Sequence, residues 1–323
     1  MTVLRARGLT TRFGSLTAVN GVSFDLTAGR TLAVVGESGS GKSVCALSVL
    51  GLVSPPGKVV AGQIVYEGRD LLSQSPSELR RLRGDRLAMV FQDPLTSLNP
   101  VLSIGVQVAE PFRAHRGMGR EQARACAVEA LRRVGIPRPE QRVDEYPHQF
   151  SGGMRQRVGI AMALALKPAV VIADEPTTAL DVTIQAQVLE LLRELQREDG
   201  AAVMLITHDM GVVAQEASET LVMYAGQVVE QAPTVELFRR PLHPYTAGLM
   251  ASVPRLDRPR GRLHSIPGQA PDLRALPPGC PFAPRCALAR PRCRAERPPL
   301  EARQPGRLSA CFFAEEAAEL VPA

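Results

Sequence analysis

Apolar and polar positions alternate over Val22-Ser-Phe-Asp-Leu26, the two-residue period of a half-buried strand. Residues 3–35 read as antiparallel strands leading into a core, with a turn at Ala28-Gly29-Arg30. Three later runs are almost purely apolar: Arg86-Leu-Ala-Met-Val-Phe91, Ala169-Val-Val-Ile-Ala-Asp174 and Ala202-Val-Met-Leu-Ile206. That is the pattern of strands covered on both faces. Helical spacing appears between them. Ser77 to Leu82 is a short charged helix, and Glu121 to Val134 and Gln185 to Arg197 carry apolar residues at helical intervals. The Arg-rich stretch from Asn99 to Arg142 reads as a helical insertion into an α/β sheet domain. Leu221 to Glu230 reads as a hairpin that closes the domain.

One stretch concentrates chemistry. Gly36 to Ser43 reads G-E-S-G-S-G-K-S and satisfies G-x-x-x-x-G-K-[ST] at every fixed position. It follows the strand Thr31-Leu-Ala-Val-Val35 and precedes an apolar helix, Val44 to Leu52, that Pro55-Pro-Gly57 ends. Gly36, Gly39 and Gly41 let the backbone close around a polyphosphate, because glycine accepts turns that a Cβ forbids. The loop's N–H groups form an anion nest, joined by a helix N-terminus. Gly36, Glu37, Ser38, Gly39, Ser40, Gly41, Lys42, Ser43 and Val44 are thus candidate ligands of a nucleoside triphosphate. Lys42 supplies a point charge to the β/γ-phosphates, and the Ser43 hydroxyl is placed for Mg²⁺.

Further candidates stand at strand ends, where α/β sheets place their ligands. Gln92 follows the strand ending at Phe91, either as a loop cap or with its amide oxygen on Mg²⁺ or the attacking water. Asp174 is positioned to hold Mg²⁺ and Glu175 to polarise water. His208, after Ile206, reads as a γ-phosphate sensor. Phe150-Ser-Gly-Gly-Met-Arg-Gln-Arg157 opens another helix, so Ser151, Gly152 and Gly153 offer a second anion nest. One nucleotide on one chain has no use for two such nests, whereas two facing chains do. Thr178-Ala-Leu-Asp181 is a turn whose acid could cross to a partner. Phe13 is either a core aromatic or a platform for a base.

Composition narrows the setting. Of 323 residues 45% are hydrophobic, enough for a core built mainly from Val, Leu, Ile and Ala, since Trp is absent. The net charge is +6, yet the basic residues are dispersed arginines, and the only lysines are Lys42, Lys58 and Lys167. No block alternates them with aromatics, so nucleic acid is not an expected partner. The N-terminus does not resemble a signal peptide, and no apolar run reaches the ~18 residues of a membrane span. A cytoplasmic protein is expected, and its cysteines as thiols or ligands, not disulfides. Cys45 and Cys126 stand alone and read as packed thiols.

After Arg239 the composition shifts to Pro, Arg and Gly, and periodicity fades. Cys280, Cys286, Cys293 and Cys311 crowd into this tail with spacing C-x5-C-x6-C-x17-C. Four thiolates suit Zn²⁺ or an iron–sulfur cluster, a site that substitutes for a hydrophobic core.

Taken in order, Gly36–Ser43, Gln92, Ser151–Gln156, Val170–Glu175, Thr178–Asp181 and His208 resemble the ABC-transporter nucleotide-binding domain over roughly residues 1–240. The resemblance implies a P-loop fold with a RecA-like core, an antiparallel β subdomain and a helical subdomain at about 95–165. It implies a head-to-tail dimer holding two ATPs, with Gln156, Asp181 and the S-G-G motif among the nucleotide contacts and Phe13 stacking on the base. Phe91-Gln-Asp-Pro-Leu-Thr-Ser-Leu-Asn-Pro100, Pro241-Leu-His-Pro-Tyr-Thr-Ala247 and Ile266-Pro-Gly268 are similar to the ATPases of dipeptide, oligopeptide and nickel importers. Met154 and Thr177-Thr178 resemble the first, D-type, of their two ATPases. Gly279-Cys-Pro-Phe-Ala-Pro-Arg-Cys286 resembles their C-terminal extension, here 241–323, which in some members holds a [4Fe–4S] cluster. The expected cofactors are therefore ATP, Mg²⁺ and a structural [4Fe–4S] cluster, with Zn²⁺ as the alternative. The expected partners are a second, related ATPase, two transmembrane permease subunits and an extracytoplasmic binding protein. The expected location is the cytoplasmic face of a bacterial membrane. Two other classes stay in view: a soluble ABC ATPase acting on DNA or ribosomes, and one of iron–sulfur assembly. The first lacks support, because only roughly a hundred residues separate Ser43 from Ser151, without sustained heptads.

Overall fold

The structure is a computed structural model that describes residues 1–92, 98–177, 182–252 and 265–320. The strands, in chain order, are β1 Thr2–Phe13, β2 Leu16–Thr27, β3 Thr31–Val35, β4 Gly57–Tyr66, β5 Arg69–Asp70, β6 Leu87–Val90, β7 Val170–Asp174, β8 Ala202–Ile206, β9 Glu219–Tyr224, β10 Gln227–Pro233, β11 Glu301–Gln304 and β12 Arg307–Ser309. The principal helices are α1 Lys42–Val49, α2 Pro76–Leu82, α3 Ile104–Arg116, α4 Arg120–Arg133, α5 Gly152–Leu164, α6 Val182–Asp199, α7 Met210–Glu216, α8 Thr234–Arg239 and α9 Pro244–Ala251. The chain divides into two compact units. The first comprises residues 1–4, 26–30 and 70–205, and the second residues 5–25, 31–69 and 206–323.

In the first unit β8, β7 and β6 lie side by side, with β6 parallel to β7 in the register Leu87↔Val170 to Val90↔Ala173. Every residue of β7 and β8 is buried, as their unbroken apolar runs require. The helices bury stripes set by their sequence spacing. Ala123, Ala127 and Leu131 of α4 recur every four residues, and Val188, Leu192 and Leu195 of α6 lie on one face. Helix α2 starts with a complete capping box, Ser75 and Glu78 exchanging bonds with each other's backbone. Gln107 of α3 is buried and staples the preceding loop: its oxygen accepts from Asn99 N (2.8 Å), and its amide donates to the Asn99 and Leu102 carbonyls (both 3.0 Å).

In the second unit, β3 pairs parallel with β9, and β9, β10, β12 and β11 continue the order. A separate sheet runs β2-β1-β4-β5. Helices α7, α8 and α9 help cover β3 and β9, burying Val35, Val213, Val222, Leu237 and Tyr245 in one core. The hairpin expected at 221–230 is β9–β10, and the sheet continues beyond it. Strand β12 adds antiparallel to β10, with Glu230 opposite Ser309, and β11 adds to β12. The tail is thus woven into the sheet that carries the phosphate loop. Glu301-Ala-Arg-Gln304 has no apolar alternation, so its strand character comes from the open edge it joins.

Candidate functional site

The phosphate loop links β3 to α1, and its glycines are required by contact. Gly36 has φ +152, and an added Cβ would fall 2.2 Å from the Met223 carbonyl oxygen and 2.8 Å from Ser40 Oγ. At Gly41, φ +98, the same atom would meet the Ala18 carbonyl at 2.4 Å. Gly39 also has positive φ (+79), but nothing stands near it. The Lys42 ammonium curls back over the loop, donating to the Gly36 carbonyl (2.7 Å) and the Glu37 carbonyl (3.0 Å). Ser40 Oγ is buried without a hydrogen-bond partner. A cradle closed to side chains, with a lysine and an orphaned hydroxyl inside, fits a polyphosphate. Helix α1 is anchored from behind by the buried pair Thr11 Oγ1–Ser48 Oγ (2.7 Å). Cys45 in the same helix is fully buried, and desolvation pushes its thiol up to about 12, so it is an inert packed residue. Phe13, at the end of β1, is half-buried with its ring against Gly57, where an added Cβ would lie 2.4 Å from Cε1. His208 follows Thr207 beyond β8 and is exposed. Asp209 caps α7 by accepting from Gly211 N and Val212 N.

In the first unit, Asp174 ends β7 and is only 4% exposed. The next residue, Glu175, has φ +45, a strained left-handed conformation for a side chain of its size. This kink turns its carboxylate toward Gln92, whose Nε2 donates to Glu175 Oε2 at 3.2 Å. Ser151 is the N-cap of α5, its hydroxyl accepting from Met154 N, and Ser151 and Gly152 are exposed at that helix start. Gln156 points the other way. It is buried, and its amide donates to the Pro176 carbonyl (3.0 Å), tying α5 to the turn after Glu175. Thr178 and Asp181 lie outside the described residues.

The tail brings Cys280, Cys286, Cys293 and Cys311 to one small pocket of about 20 Å³, lined also by His243 and Phe282. Its exposed lining is apolar. A backbone bond from Cys280 N to the Cys293 carbonyl (2.8 Å) closes the turn. Burial pushes Cys286 up to about 11 and Cys311 to about 12, and raises Cys280 as well, so in this pocket they are thiols unless a cation stabilises the thiolates. Four thiols are the donor type of a tetrathiolate site, but among the described residues no group of three or more His, Cys, Asp or Glu is placed to hold a metal ion.

Two residues that the sequence reading passed over meet the phosphate loop from this tail. Arg285, its side chain 6% exposed, grips the Glu37 carboxylate with both arms of its fork, Nη1–Oε2 at 2.6 Å and Nη2–Oε1 at 2.8 Å. The Glu37 carboxylate raises the guanidinium above its ordinary range. The Glu37 N–H donates to the Tyr245 hydroxyl at 2.7 Å. Both residues sit in stretches singled out for family resemblance, at 241–247 and 279–286, but no spacing rule points from them to residue 37.

Residues 19–178 match the family described as ABC transporter, and residues 229–293 match the oligopeptide/dipeptide transporter C-terminal region. The oligopeptide transport ATP-binding protein AppD of Bacillus subtilis (strain 168) is 50% identical over 320 residues, covering 98% of each chain. The dipeptide transport ATP-binding protein DppD of the same organism is 54% identical, covering 86% of this chain and 83% of that relative. The oligopeptide transport ATP-binding protein OppD of Salmonella typhimurium is 50% identical, covering 93% and 89%. Among solved structures, the dimeric post-hydrolysis state of the ATP-binding cassette MJ0796 bound to ADP and Pi matches with a TM-score of 0.65 at 30% identity, covering 72% of this chain and 98% of that one.

Proposed function

Since the chain belongs to the ABC transporter family of ATP-binding proteins, we propose that it is the ATP-binding and ATP-hydrolysing subunit of an importer of oligopeptides or dipeptides. The observation that carries this is the pairing of a cassette match at 19–178 with the oligopeptide/dipeptide transporter region at 229–293 in one chain. On this reading residues 1–240 are the cassette and 241–323 the importer-type extension. The loop Gly36–Ser43 holds the triphosphate, and Val44 starts the helix that supports it. Lys42 exchanges its carbonyl partners for phosphate oxygens. Ser43, Asp174 and Gln92 would hold Mg²⁺, which neutralises phosphate charge when bound. Glu175 orients the attacking water, with Gln92 on its carboxylate, and His208 senses the γ-phosphate. Phe13 stacks on the base. The Ser151-Gly152-Gly153 helix start, exposed at Ser151 and Gly152, and Asp181 serve the nucleotide of a partner ATPase, a relative or a second copy, while Gln156 braces the motif from within. ATP binds the closed pair more tightly than the open one, and this difference is what drives the membrane subunits.

Two permease subunits are the proposed membrane partners, fed by an extracytoplasmic binding protein. Between the sheet and α3, the stapled loop presents Val101, 75% exposed, with Leu102 and Val106 also exposed. Exposed apolar side chains held on a rigid support suit a protein partner. Among the described residues no helix is long and apolar enough to cross a membrane. A peripheral place on the cytoplasmic face is proposed from the importer reading. The four tail cysteines are proposed ligands of a structural [4Fe–4S] cluster, with Zn²⁺ as the alternative.

Co-expression with the neighbouring genes tests the reading. Co-elution with two membrane proteins, and ATPase activity stimulated by a peptide-loaded binding protein, are expected. Ribosomes or nucleic acid in their place would overturn it.

A further inference from the structure

Glu37 is held at three points. Its carboxylate receives both arms of Arg285, and its N–H donates to the Tyr245 hydroxyl. Its carbonyl, facing inward, accepts from Ser40 N (3.2 Å) and from the Lys42 ammonium (3.0 Å). The residue thus connects the tail to the lysine of the phosphate loop. The outer grip is itself fixed. Arg285 Nε donates to the Pro267 carbonyl at 2.8 Å, and its guanidinium lies over the Tyr224 and Phe282 rings at 5.9 and 6.0 Å. Tyr245 is fully buried, its ring 4.6 Å from that of Tyr224 and 5.4 Å from that of Phe282.

Two physical consequences follow. The Glu37 N–H is engaged by Tyr245 and the Ser40 N–H by the Glu37 carbonyl, so the loop's anion nest draws first on its other N–H groups. More important, a carboxylate in a loop that receives a polyanion opposes binding by simple repulsion. A bidentate guanidinium removes most of that charge and fixes the side chain's direction. We propose that Arg285, with Tyr245, is a positioning residue for ATP: it cancels the charge of Glu37 and holds the loop backbone that sets the resting place of Lys42. This rests on the ATP-binding reading above. It assigns the tail a part in nucleotide affinity, separate from any metal its cysteines hold.

The test is calorimetric titration of the full-length chain with AMP-PNP and Mg²⁺. Arg285→Ala should weaken binding by about tenfold, the size expected for losing a charge-assisted pair. Glu37→Gln added to Arg285→Ala should recover most of that loss, because neutral glutamine no longer repels the phosphates although the tail is still unanchored. A role confined to anchoring the tail predicts no recovery. Tyr245→Phe, which removes only a hydroxyl and keeps the core filled, should weaken binding several-fold and serves if Arg285→Ala does not fold. Wild-type affinity in Arg285→Ala and Tyr245→Phe, or no rescue by Glu37→Gln, would overturn the proposal. Failure of the wild-type chain to bind AMP-PNP would instead overturn the ATP reading, and this inference with it.

Discussion

Gln92 donates its side-chain amide to the carboxylate of Glu175 at 3.2 Å, across 83 residues of sequence. The contact joins the end of β6 to the kink after β7, two parallel strands in register. It sets one carboxylate oxygen of a strained residue against a polar neighbour, a suitable posture for a group proposed to orient water. Glu175→Gln should therefore bind ATP with near wild-type affinity and lose hydrolysis by about 10²-fold or more, the usual scale for removing a general base. Phosphate release and nucleotide titration on the same preparation check it. Normal turnover in the variant would remove Glu175 from the catalytic role.

The loop glycines separate into two kinds. Gly36→Ala must push against the Met223 carbonyl, which is backbone and cannot yield cheaply. It should abolish nucleotide binding and lower the melting temperature. Gly39→Ala meets nothing and suffers only the left-handed backbone penalty of about 1–2 kcal/mol. A thermal melt and an ATP titration of both variants check the ranking. Equal effects would mean that close packing does not shape this loop.

Cys280→Ser and Cys286→Ser each remove one of four thiols from a single pocket. After anaerobic purification, both should lose iron and sulfide, or zinc, relative to wild type. Both should also loosen the turn that carries Arg285. Elemental analysis with sulfide assay decides, and unchanged metal content in both variants would end the ligand assignment.

Glu230 on β10 is wholly buried, with Arg307 of β12 at 3.8 Å and the Leu242 N–H donating to it at 2.7 Å. The Thr246 side chain and the backbone of His243 lie alongside, while Glu230 Oε2 has no hydrogen-bond partner. Desolvation outweighs these partners and raises the carboxyl to about 7 from 4.5. The folded state then binds a proton that the unfolded chain has released, so this group lowers stability as pH rises from 4.5 to 7. Glu230→Gln stays neutral and can keep the bond from Leu242. Its stability should gain on wild type across that window by about 1.4 kcal/mol per pH unit at most, and the gain should level off above pH 7. Urea unfolding of both proteins at several pH values measures the difference. A gain independent of pH would show that Glu230 titrates normally.

How much of this was legible in the sequence follows from the range of each interaction. The phosphate loop, the acidic strand end and the S-G-G helix start are local: each needs a strand, a turn and a helix in succession, and residue type with spacing specifies that order. The apolar runs of β7 and β8 and the four-residue stripe of α4 were readable for the same reason. The clustering of four cysteines in one tail is legible in the sequence, and in the structure they line one pocket, though among the described residues no group of three or more such side chains is placed to hold a metal ion. Other features depend on distant partners. The pairing of Gln92 with Glu175 needs two strands in register. The burial of Gln156 against Pro176 needs α5 packed on the turn. Strand β12 is Arg-Leu-Ser, strand-like only because β10 offers it an open edge. Arg285 read as one dispersed arginine among many until folding placed its fork on Glu37, 248 residues away. The sequence by itself determined which residues make up the candidate nucleotide site and their order along the chain, because glycine, lysine and acid at short spacing act through local backbone geometry. Only the tertiary structure decided that the tail grips the phosphate loop, because a bidentate ion pair depends on where two side chains meet in space.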